Sequence, residues 1–399
     1  MRILQVVKTA DGANWAVDQV TELVKQGLDM HIALPKLEGM FMDSWRSSGA
    51  QIHQLDISLP LKSSWHFRFA TKNGIRKLVS DIKPDIIHSH FVESTLALRY
   101  ALGREHPIPR LFQVPGSLHM EHEFFKRWEL LSAGSSDSWI ASSRYTMQLY
   151  RRSGIQEDRL YLSYYGNKHL YPQKIDNGLR EQYGIDDTHF VVGNVNYMYT
   201  PRLYLGQIKG IKRHEDVIDA LAQVINHSDN VTGLIIGGQW GGGSKYEQKL
   251  IDRAARVGRG HIIMTGKLPA AQAKSAWVDF DAAVHVPVSE NCGGVIEPLM
   301  AGVPVIAART GGLPEVILDG ITGKLVPPRN PAVLAESISE VLSDLPKYRE
   351  MAKVGQRLVS HMFDVQRTAA EIKSIYEHVL TPSQPKPAMF DSRRFLLTN

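Results

Sequence analysis

Two glutamates flank a pair of glycines in the C-terminal third of the chain, and together these residues could bind a phosphorylated sugar. Glu290 precedes Gly293 and Gly294, and Glu297 follows them at the start of an expected helix. A glycine turn before a helix N-terminus presents free backbone N–H groups and the positive end of the helix dipole, and both favour a phosphate. A carboxylate one turn further along accepts hydrogen bonds from sugar hydroxyls. The segment therefore predicts a site for a nucleoside diphosphate attached to a sugar.

The elements that must position these residues alternate between buried strands and amphipathic helices. The predicted strands are Ile3–Val7, His31–Leu34, Asp85–His88, Pro109–Val114 and Ser138–Ser142 in the first half, and Phe190–Val195, Thr232–Gly238, Ile262–Thr265, Ala282–Val286 and Val303–Ala307 in the second half. Helices are predicted at Ser94–Leu102, Glu215–Ile225 and Pro331–Leu342. Such alternation is typical of parallel sheets with right-handed crossovers, so the fold class is α/β.

The 399 residues exceed what one ordinary core holds, and the pattern restarts after Tyr165–Asn167. We expect an N-terminal domain at 1–170 and a C-terminal domain at 171–362, with the segment 363–399 packing back on the first domain. Both domains are expected to be Rossmann-like and doubly wound. Because ligands of such sheets lie beyond the carboxyl ends of the strands, a site is expected in a central cleft between the domains.

Composition excludes several classes of protein. With 43% hydrophobic and 22% charged residues the composition is typical of a soluble globular protein, and the apolar runs are too short to span a membrane. The N-terminus is predicted to form a strand, not a signal peptide, and the single cysteine excludes an internal disulfide. A cytoplasmic enzyme is the expectation. The net charge of +5 is dispersed, so nucleic-acid binding is not predicted.

One local excess of positive charge stands out. The segment Lys62–Lys77 contains five Lys or Arg residues, no acids and three aromatic residues. One interpretation is a solvated helix with a buried aromatic edge. The other is a peripheral contact with an anionic membrane surface or a polyanionic acceptor.

Several motifs in a fixed order carry a resemblance to a known family. They are PDIIHSH (84–90), SDSWIASS (136–143), KRHEDVIDAL (212–221), LIIGG (234–238), IIMTGKL (262–268) and the segment around the two glutamates. The chain resembles the family-4 retaining glycosyltransferases, which have the GT-B fold of two Rossmann-like domains facing a central cleft. The resemblance implies transfer of a sugar, with retention of configuration, from a nucleoside diphosphate sugar to an acceptor hydroxyl. It implies no metal ion and no further cofactor.

The resemblance also implies roles for the residues of the opening segment. Glu297 matches the family's second glutamate, which binds the ribose hydroxyls of the donor. Glu290 is expected to contact the transferred sugar, although six residues separate the two glutamates where the family usually has seven, so strict spacing would place Ser289 there. The backbone of the intervening residues is expected to bind the donor sugar or diphosphate, through Gly293, Gly294, Val295 and Ile296.

A basic pair is implied for the departing diphosphate. By register Lys212 is the lysine of this pair, with Arg213 in place of the usual glycine, and Arg202 is preferred over Lys209 as its partner. Negative charge builds on the diphosphate as it departs, so cations there stabilise the transition state.

In the first domain two further residues are candidates. Gly12 follows the first strand, where the backbone would approach the diphosphate or acceptor, although a tight turn alone also explains it. The position of the family's functional histidine holds Pro115. His119 is therefore predicted to orient the acceptor, with His122 as the alternative.

The remaining polar residues predict no metal site. His88 and His90 share a face of one strand but lack a third ligand, so buried, hydrogen-bonded histidines are expected. Asp186–Asp187 resembles a metal-binding Asp-x-Asp only superficially. Cys292 is interpreted as a small packing residue.

The acceptor and the base of the donor stay open. A glycan, a lipid-linked sugar or a small-molecule natural product would all fit, as in polysaccharide biosynthesis, and the base is uridine or guanosine. Alternatives from other classes are a sugar-nucleotide epimerase or a phosphorylase of the same fold, or a non-catalytic subunit that binds sugar nucleotides. A dehydrogenase is not predicted, because no Gly-x-Gly-x-x-Gly follows the first strand.

Overall fold

The computed structural model describes residues 1–57, 65–168, 178–203 and 206–398, without the side chains of residues 65–68. Apart from the undescribed residues, the chain divides into two compact units. The first comprises Met1–Lys168 and His361–Arg394, and the second comprises His169–Ser360 and Phe395–Asn399. Within the described residues, no helix is long and apolar enough to cross a bilayer.

The first unit is built on a seven-stranded parallel sheet. Its strands are β1 (Arg2–Val6), β2 (Asp29–Leu34), β3 (Gln51–Gln54), β4 (Ile86–His90), β5 (Arg110–Gln113), β6 (Asp137–Ala141) and β7 (Leu160–Leu162). They pair in the order β3-β2-β1-β4-β5-β6-β7, with β1 pairing on both sides. The chain moves outward from β1 to one edge and then from β4 to the other, which is the doubly wound arrangement.

The helices of this part of the chain lie between the strands. They are α1 (Asn14–Lys25), α2 (Met42–Ser47), α3 (Trp65–Ile82), α4 (Val92–Leu102), α5 (Glu123–Ser132) and α6 (Arg144–Arg152). The central strands are buried along nearly their whole length because helices cover both faces of the sheet. The predicted segment Lys62–Lys77 lies partly outside the described residues; in its described part, Phe69 is exposed.

The second unit repeats the architecture with six parallel strands. These are β8 (Phe190–Val195), β9 (Val231–Ile236), β10 (Ile262–Gly266), β11 (Ala282–His285), β12 (Val305–Ala308) and β13 (Lys324–Val326), paired in the order β10-β9-β8-β11-β12-β13. The helices are α7 (Leu179–Gln182), α8 (His214–His227), α9 (Lys245–Val257), α10 (Ala270–Ser275), α11 (Ile296–Met300) and α12 (Pro331–Ser343). The winding reverses between β8 and β11, so the loops after these two strands diverge at one sheet edge.

Three further helices end the chain: α13 (Leu345–Met362), α14 (Val365–Leu380) and α15 (Ser392–Thr398). The carboxylate of Asp364 caps α14 by accepting a hydrogen bond from the backbone N–H of Arg367. One face of α14 is fully buried against α1 in the core of the first unit, through Ala369, Ile372, Ile375 and Tyr376. Helix α14 thus completes the hydrophobic core to which β1 and α1 also contribute.

The predicted α/β class and the ten predicted strands are confirmed. The sequence interpretation missed β3, β7 and β13, which are edge strands of three or four residues. It also did not predict the helices α2, α5, α6, α7, α9, α10, α13, α14 and α15.

Candidate functional site

The second unit holds a compact ionic centre where the loops after β8 and β11 approach the start of α8. Glu290 lies in the loop after β11, and one of its oxygens, Oε2, accepts hydrogen bonds from the Lys212 ammonium and from His285 Nε2, the latter at 3.0 Å. Lys212 and Glu290 are 16% and 13% exposed. The structure therefore brings together two residues that the sequence analysis assigned to one site, 78 positions apart in the chain.

The ionic centre keeps Glu290 charged. Burial opposes ionisation of this carboxyl, but the Lys212 ammonium and the His285 imidazole outweigh it and hold its pKa well below the usual range. Burial lowers the pKa of His285, with only partial compensation by Glu290, so the imidazole is neutral near pH 7. Its Nδ1 lies 3.2 Å from the amide nitrogen of Asn196, which donates to it, so the ring proton sits on Nε2 and is directed at Glu290.

Two glycine turns surround Glu290. A Cβ on Gly294 would lie 2.1 Å from His285 Nε2, and a Cβ on Gly311 would lie 1.8 Å from the Glu290 carbonyl oxygen. Gly294 is thus required by the packing of His285, whereas a Cβ on Gly293 would meet open space. From the sequence, both glycines are expected to contact the donor through their backbone. For Gly294, the adjacent imidazole of His285 is a reason within the chain why a side chain does not fit.

The residue that is predicted to bind the donor ribose, Glu297, lies at the start of α11. Glu297 is exposed in the first turn of this helix, and its Oε2 accepts a hydrogen bond of 3.3 Å from Trp277 Nε1. Val295 and Ile296 are buried, with 0% and 6% of their surface exposed. Their predicted main-chain contact with the donor stays a prediction.

The other basic residues near Lys212 differ from it in their partners. Lys209 is bound to Asp216 on α8, at 2.6 Å, and lies 3.9 Å from Asp219. Arg213 also bonds to Asp216, and it has φ +58°, the left-handed conformation in which glycine is unstrained. Arg202 is exposed beside residues 204–205, which lie outside the described residues. The predicted partnership of Arg202 with Lys212 stays a prediction.

In the first unit, His119 is buried in the turn after β5. Its Nε2 lies 3.0 Å from the Tyr150 hydroxyl, and its ring meets Phe112 edge to face. Burial lowers the pKa of His119 to about 4, so the ring is neutral at physiological pH. His122 is half-buried directly before α5. A role for either histidine toward an acceptor stays a prediction.

Gly12 is exposed in the loop between β1 and α1, and a Cβ there would meet nothing within 4 Å. Packing within the chain therefore does not require glycine at this position. Its predicted approach to a ligand stays a prediction.

The histidines of β4 are structural, as predicted. His88 Nδ1 lies 2.6 Å from the Tyr376 hydroxyl, and His90 Nδ1 lies 3.1 Å from the Tyr165 hydroxyl. Both rings are fully buried, and burial lowers the pKa of His88 to about 3.

Across the described part of the chain, no group of three or more His, Cys, Asp or Glu side chains is arranged to hold a metal ion. Cys292 is buried and its thiol donates to the Gly312 carbonyl, which is the predicted packing role.

Three residues of the site escaped the sequence analysis: His285, Asn196 and Trp277. His285 had a usable signal, since a histidine at the carboxyl end of a buried parallel strand lies where ligands bind. Asn196 follows β8 in the same way. Trp277 had no comparable signal.

Two doubly wound parallel sheets in one chain are the architecture of the GT-B class. Solved structures share this fold. Anabaena Alr3699/HepE, solved in complex with UDP and with UDP-glucose, has 22% sequence identity and a TM-score of 0.76, covering 94% of this chain and at least 99% of that chain. A glycosyltransferase from Rickettsia africae has 18% identity and a TM-score of 0.74, covering 95% of this chain and 98% of that one. At these identities the likeness shows the fold.

Family comparisons agree with the fold. The model described as Glycosyltransferase Family 4 matches residues 12–166, and the model described as Glycosyl transferases group 1 matches residues 202–358. Between them they cover well over half of the chain, which belongs to the family-4 glycosyltransferases.

Curated relatives match over shorter segments. The D-inositol 3-phosphate glycosyltransferase of Frankia alni is 29% identical over 188 residues, 45% of this chain and 46% of that protein. The putative glycosyltransferase YtcC of Bacillus subtilis is 25% identical over 226 residues, 55% of this chain and 53% of that protein. The matched segments span about half the length of these relatives.

Proposed function

We propose that this chain is a retaining glycosyltransferase that moves a sugar from a nucleoside diphosphate sugar to an acceptor hydroxyl without a metal ion. The observation that carries the proposal is the partly exposed pair of Lys212 and Glu290, fixed by His285 at the carboxyl edge of the second sheet. Family membership supports it. Because HepE was solved with UDP and UDP-glucose, a uridine diphosphate sugar is the first donor to test.

Lys212 supplies positive charge for the leaving diphosphate. Its ammonium has three donors, and the hydrogen bond to Glu290 uses one of them. A partly buried cation that is already positioned stabilises developing negative charge without reorganisation. We assign Arg202 to the same diphosphate as a second cation.

The two glutamates bind opposite ends of the donor. Glu290 stays ionised at any physiological pH, so it acts only as an acceptor and binds hydroxyls of the transferred sugar. Glu297 is exposed and has one oxygen bound by Trp277, so it can accept hydrogen bonds from the ribose. Backbone N–H groups from Gly293 to Ile296 contact the part of the donor between them.

The reaction is a substitution on one face of the sugar. The acceptor oxygen forms a bond to the anomeric carbon on the side from which the diphosphate departs, and the bond from that carbon to the diphosphate oxygen breaks. The acceptor proton passes to the departing phosphate oxygen. Configuration is therefore retained, and a general base from the protein is not required.

The acceptor side of the proposal involves the first unit. His119 or His122 orients the acceptor, and the backbone at Gly12 approaches the diphosphate or acceptor. The acceptor classes are a glycan, a lipid-linked sugar or a small molecule, and an acceptor at the inner face of a membrane would bring the protein there as a peripheral partner.

The test is a transfer assay with purified protein, isotopically labelled UDP-sugars and GDP-sugars, and a panel of acceptors. Mass spectrometry measures the transferred mass, and NMR of the product measures anomeric configuration. Lys212→Ala and Glu297→Ala should lose transfer, while Lys324→Ala, which removes a lysine paired with Glu340 elsewhere in the unit, should retain it. Full activity of both site variants would overturn the site assignment.

The same assay separates the alternatives. Rearrangement of the donor with no acceptor present indicates an epimerase, and a requirement for inorganic phosphate indicates a phosphorylase. Donor binding by calorimetry without turnover on any acceptor indicates a non-catalytic subunit.

A further inference from the structure

Two aromatic side chains stand exposed at the carboxyl edge of the second sheet. Tyr197 follows β8 and Trp240 follows β9, and they are 42% and 54% exposed. Their ring centroids lie 4.9 Å apart at an interplanar angle of 69°, and the ring of Tyr199 lies 6.2 Å from that of Trp240. Large apolar faces are costly to leave in water, so a grouped, exposed set of aromatic rings marks a binding surface.

The backbone holds this surface in place. The N–H of Trp240 donates to the Met198 carbonyl at 3.0 Å, and the N–H of Met198 donates to the Gly238 carbonyl at 2.9 Å. The side chain of Gln239 accepts from the backbone N–H of Tyr246 at the start of α9. The loops after β8 and β9 are thus tied together through the backbone that carries both rings.

The aromatic surface lies beside the ionic centre. Gly210 packs closely against the backbone of Tyr199, since a Cβ on Gly210 would lie only 2.9 Å from the Tyr199 carbonyl oxygen. The next residue, Ile211, is joined to the loop of Glu290, because its carbonyl accepts a 2.9 Å hydrogen bond from the N–H of Val288. Contacts therefore run from Tyr199 through the residues before Lys212 to the loop that holds Glu290. Burial raises the pKa of the Tyr199 hydroxyl, the Lys212 charge lowers it and the Glu290 charge raises it, so both charges lie near this hydroxyl.

We infer that Tyr197 and Trp240 form a platform on which a pyranose ring of a carbohydrate acceptor stacks. This inference rests on the proposed function. A pyranose presents a face of C–H groups, which pack against the negative face of an aromatic ring, while its hydroxyls at the rim stay in water. The platform thus selects a glycan or lipid-linked sugar over an acceptor without a sugar ring.

The position of the platform assigns it to the acceptor. It adjoins Lys212 and Glu290, the residues proposed for the diphosphate and the transferred sugar. Glu297, proposed for the ribose, is bound instead to Trp277 on the chain between β10 and β11. A ring on the platform therefore lies at the sugar end of the donor, where Glu290 already holds the transferred sugar.

The test compares Trp240→Ala and Trp240→Phe with Ile321→Ala, a control that truncates another exposed apolar side chain of the same unit. Calorimetry measures UDP affinity. Saturation-transfer NMR in the presence of UDP measures binding of methyl glycosides and disaccharides of glucose, galactose, mannose and N-acetylglucosamine. We expect at least a tenfold loss of saccharide affinity in Trp240→Ala, recovery in Trp240→Phe, and UDP affinity within twofold of the parent protein.

The other possible outcomes distinguish a failure of the platform from a failure of the proposed function. A loss of UDP affinity in Trp240→Ala would mean that Trp240 stacks on the base, and it overturns the inference. The same holds if the parent protein binds none of the saccharides, or if Trp240→Ala binds them unchanged. Saccharide binding that depends on Trp240 without sugar transfer on any acceptor would refute the proposed function and leave the platform standing.

Discussion

Two clusters of charged side chains, one in each unit, differ in how much of their surface is exposed to solvent. In the first unit Arg99 bridges Glu129 on α5 and Asp137 on β6, with 1% of its side chain exposed and none of that of Glu129. In the second unit Lys212 and Glu290 keep 16% and 13% of their side chains exposed. One cluster is sealed from solvent, and the other retains access to it.

The two clusters also differ in the number of hydrogen bonds that join their charged side chains. Arg99 donates to Glu129 Oε1 at 2.9 Å and to Asp137 Oδ1 at 3.1 Å, Arg110 donates to Asp137 Oδ2 at 2.7 Å, and Trp139 donates to Glu129 Oε1 at 2.9 Å. This network joins α4, α5, β5 and β6. In the described part of the chain, the contacts of the Lys212 ammonium are with Glu290. A cation that retains donors near the surface suits a ligand.

The pKa values of the two glutamates move in opposite directions. Burial raises the pKa of Glu129 in spite of the adjacent Arg99. At Glu290 burial acts in the same sense, but Lys212 and His285 outweigh it, so the pKa falls. The sealed cluster therefore disfavours the charged form of its glutamate, whereas the open cluster stabilises a charged carboxylate.

The largest expected effect is on stability, from Arg99→Met. Removing this guanidinium leaves Glu129 and Asp137 as buried charges with too few partners, which costs about 3–5 kcal/mol of unfolding free energy. Urea denaturation measures it. Arg46→Met, which removes an exposed arginine paired with Asp43, should change the unfolding free energy by less than about 0.5 kcal/mol. Equal effects of the two substitutions would refute the claim that the buried ion pairs of Arg99 contribute more to stability than an exposed pair does.

The next effect is on activity, from Lys212→Ala. Loss of a positioned cation at the leaving group should lower kcat by about 10²–10³-fold, as for other preorganised groups that bind developing charge. Steady-state kinetics measure it with the donor identified by the transfer assay. The variant should stay folded, because the side chain is partly exposed and His285 still bonds to Glu290. A collapse of stability with unchanged kcat per folded molecule would make this cluster structural too.

Much of the second cluster could be predicted from the sequence. Lys212 and Glu290 were assigned to one site because each stands in a motif that resembles the family's, and the resemblance implies that both motifs bind the donor. Their pairing could not be predicted, since 78 residues separate them and the contact depends on how β8 and β11 adjoin in the sheet. His285 was missed because its importance arises only from that adjacency.

The fold was predictable where the hydrophobic pattern was strong. The buried inner strand β12 is a continuous apolar run, whereas the edge strands β3 and β13 have three or four residues and mixed burial. The platform of Tyr197 and Trp240 was not foreseen either. Single aromatic residues in separate loops carry no periodicity, and only the pairing of the two loops brings them together.

A matched pair of glycine substitutions tests how tightly the open cluster is built. The Cβ of Gly294→Ala would overlap His285, so the ring must shift away from Glu290, and we expect a loss of about 1–3 kcal/mol in unfolding free energy. Gly293→Ala places its Cβ in open space and should change the unfolding free energy by less than about 0.5 kcal/mol. Thermal and urea unfolding measure both. Identical behaviour of the two variants would show that His285 is not packed against Gly294.

The smallest expected effect concerns pH and His119. Its pKa is about 4 in the folded protein against 6.5 for an ordinary histidine, so between these values the unfolded chain binds a proton that the folded chain excludes. The contribution of His119 to the unfolding free energy is complete above pH 6.5. It declines as the pH falls, by about 1 kcal/mol between pH 7 and 5.5. Urea unfolding across this range should show a flatter pH dependence in His119→Gln. Tyr150→Phe keeps the imidazole buried and should keep the parent's pH dependence, and a parallel profile for His119→Gln would mean that solvent reaches this histidine in the folded state.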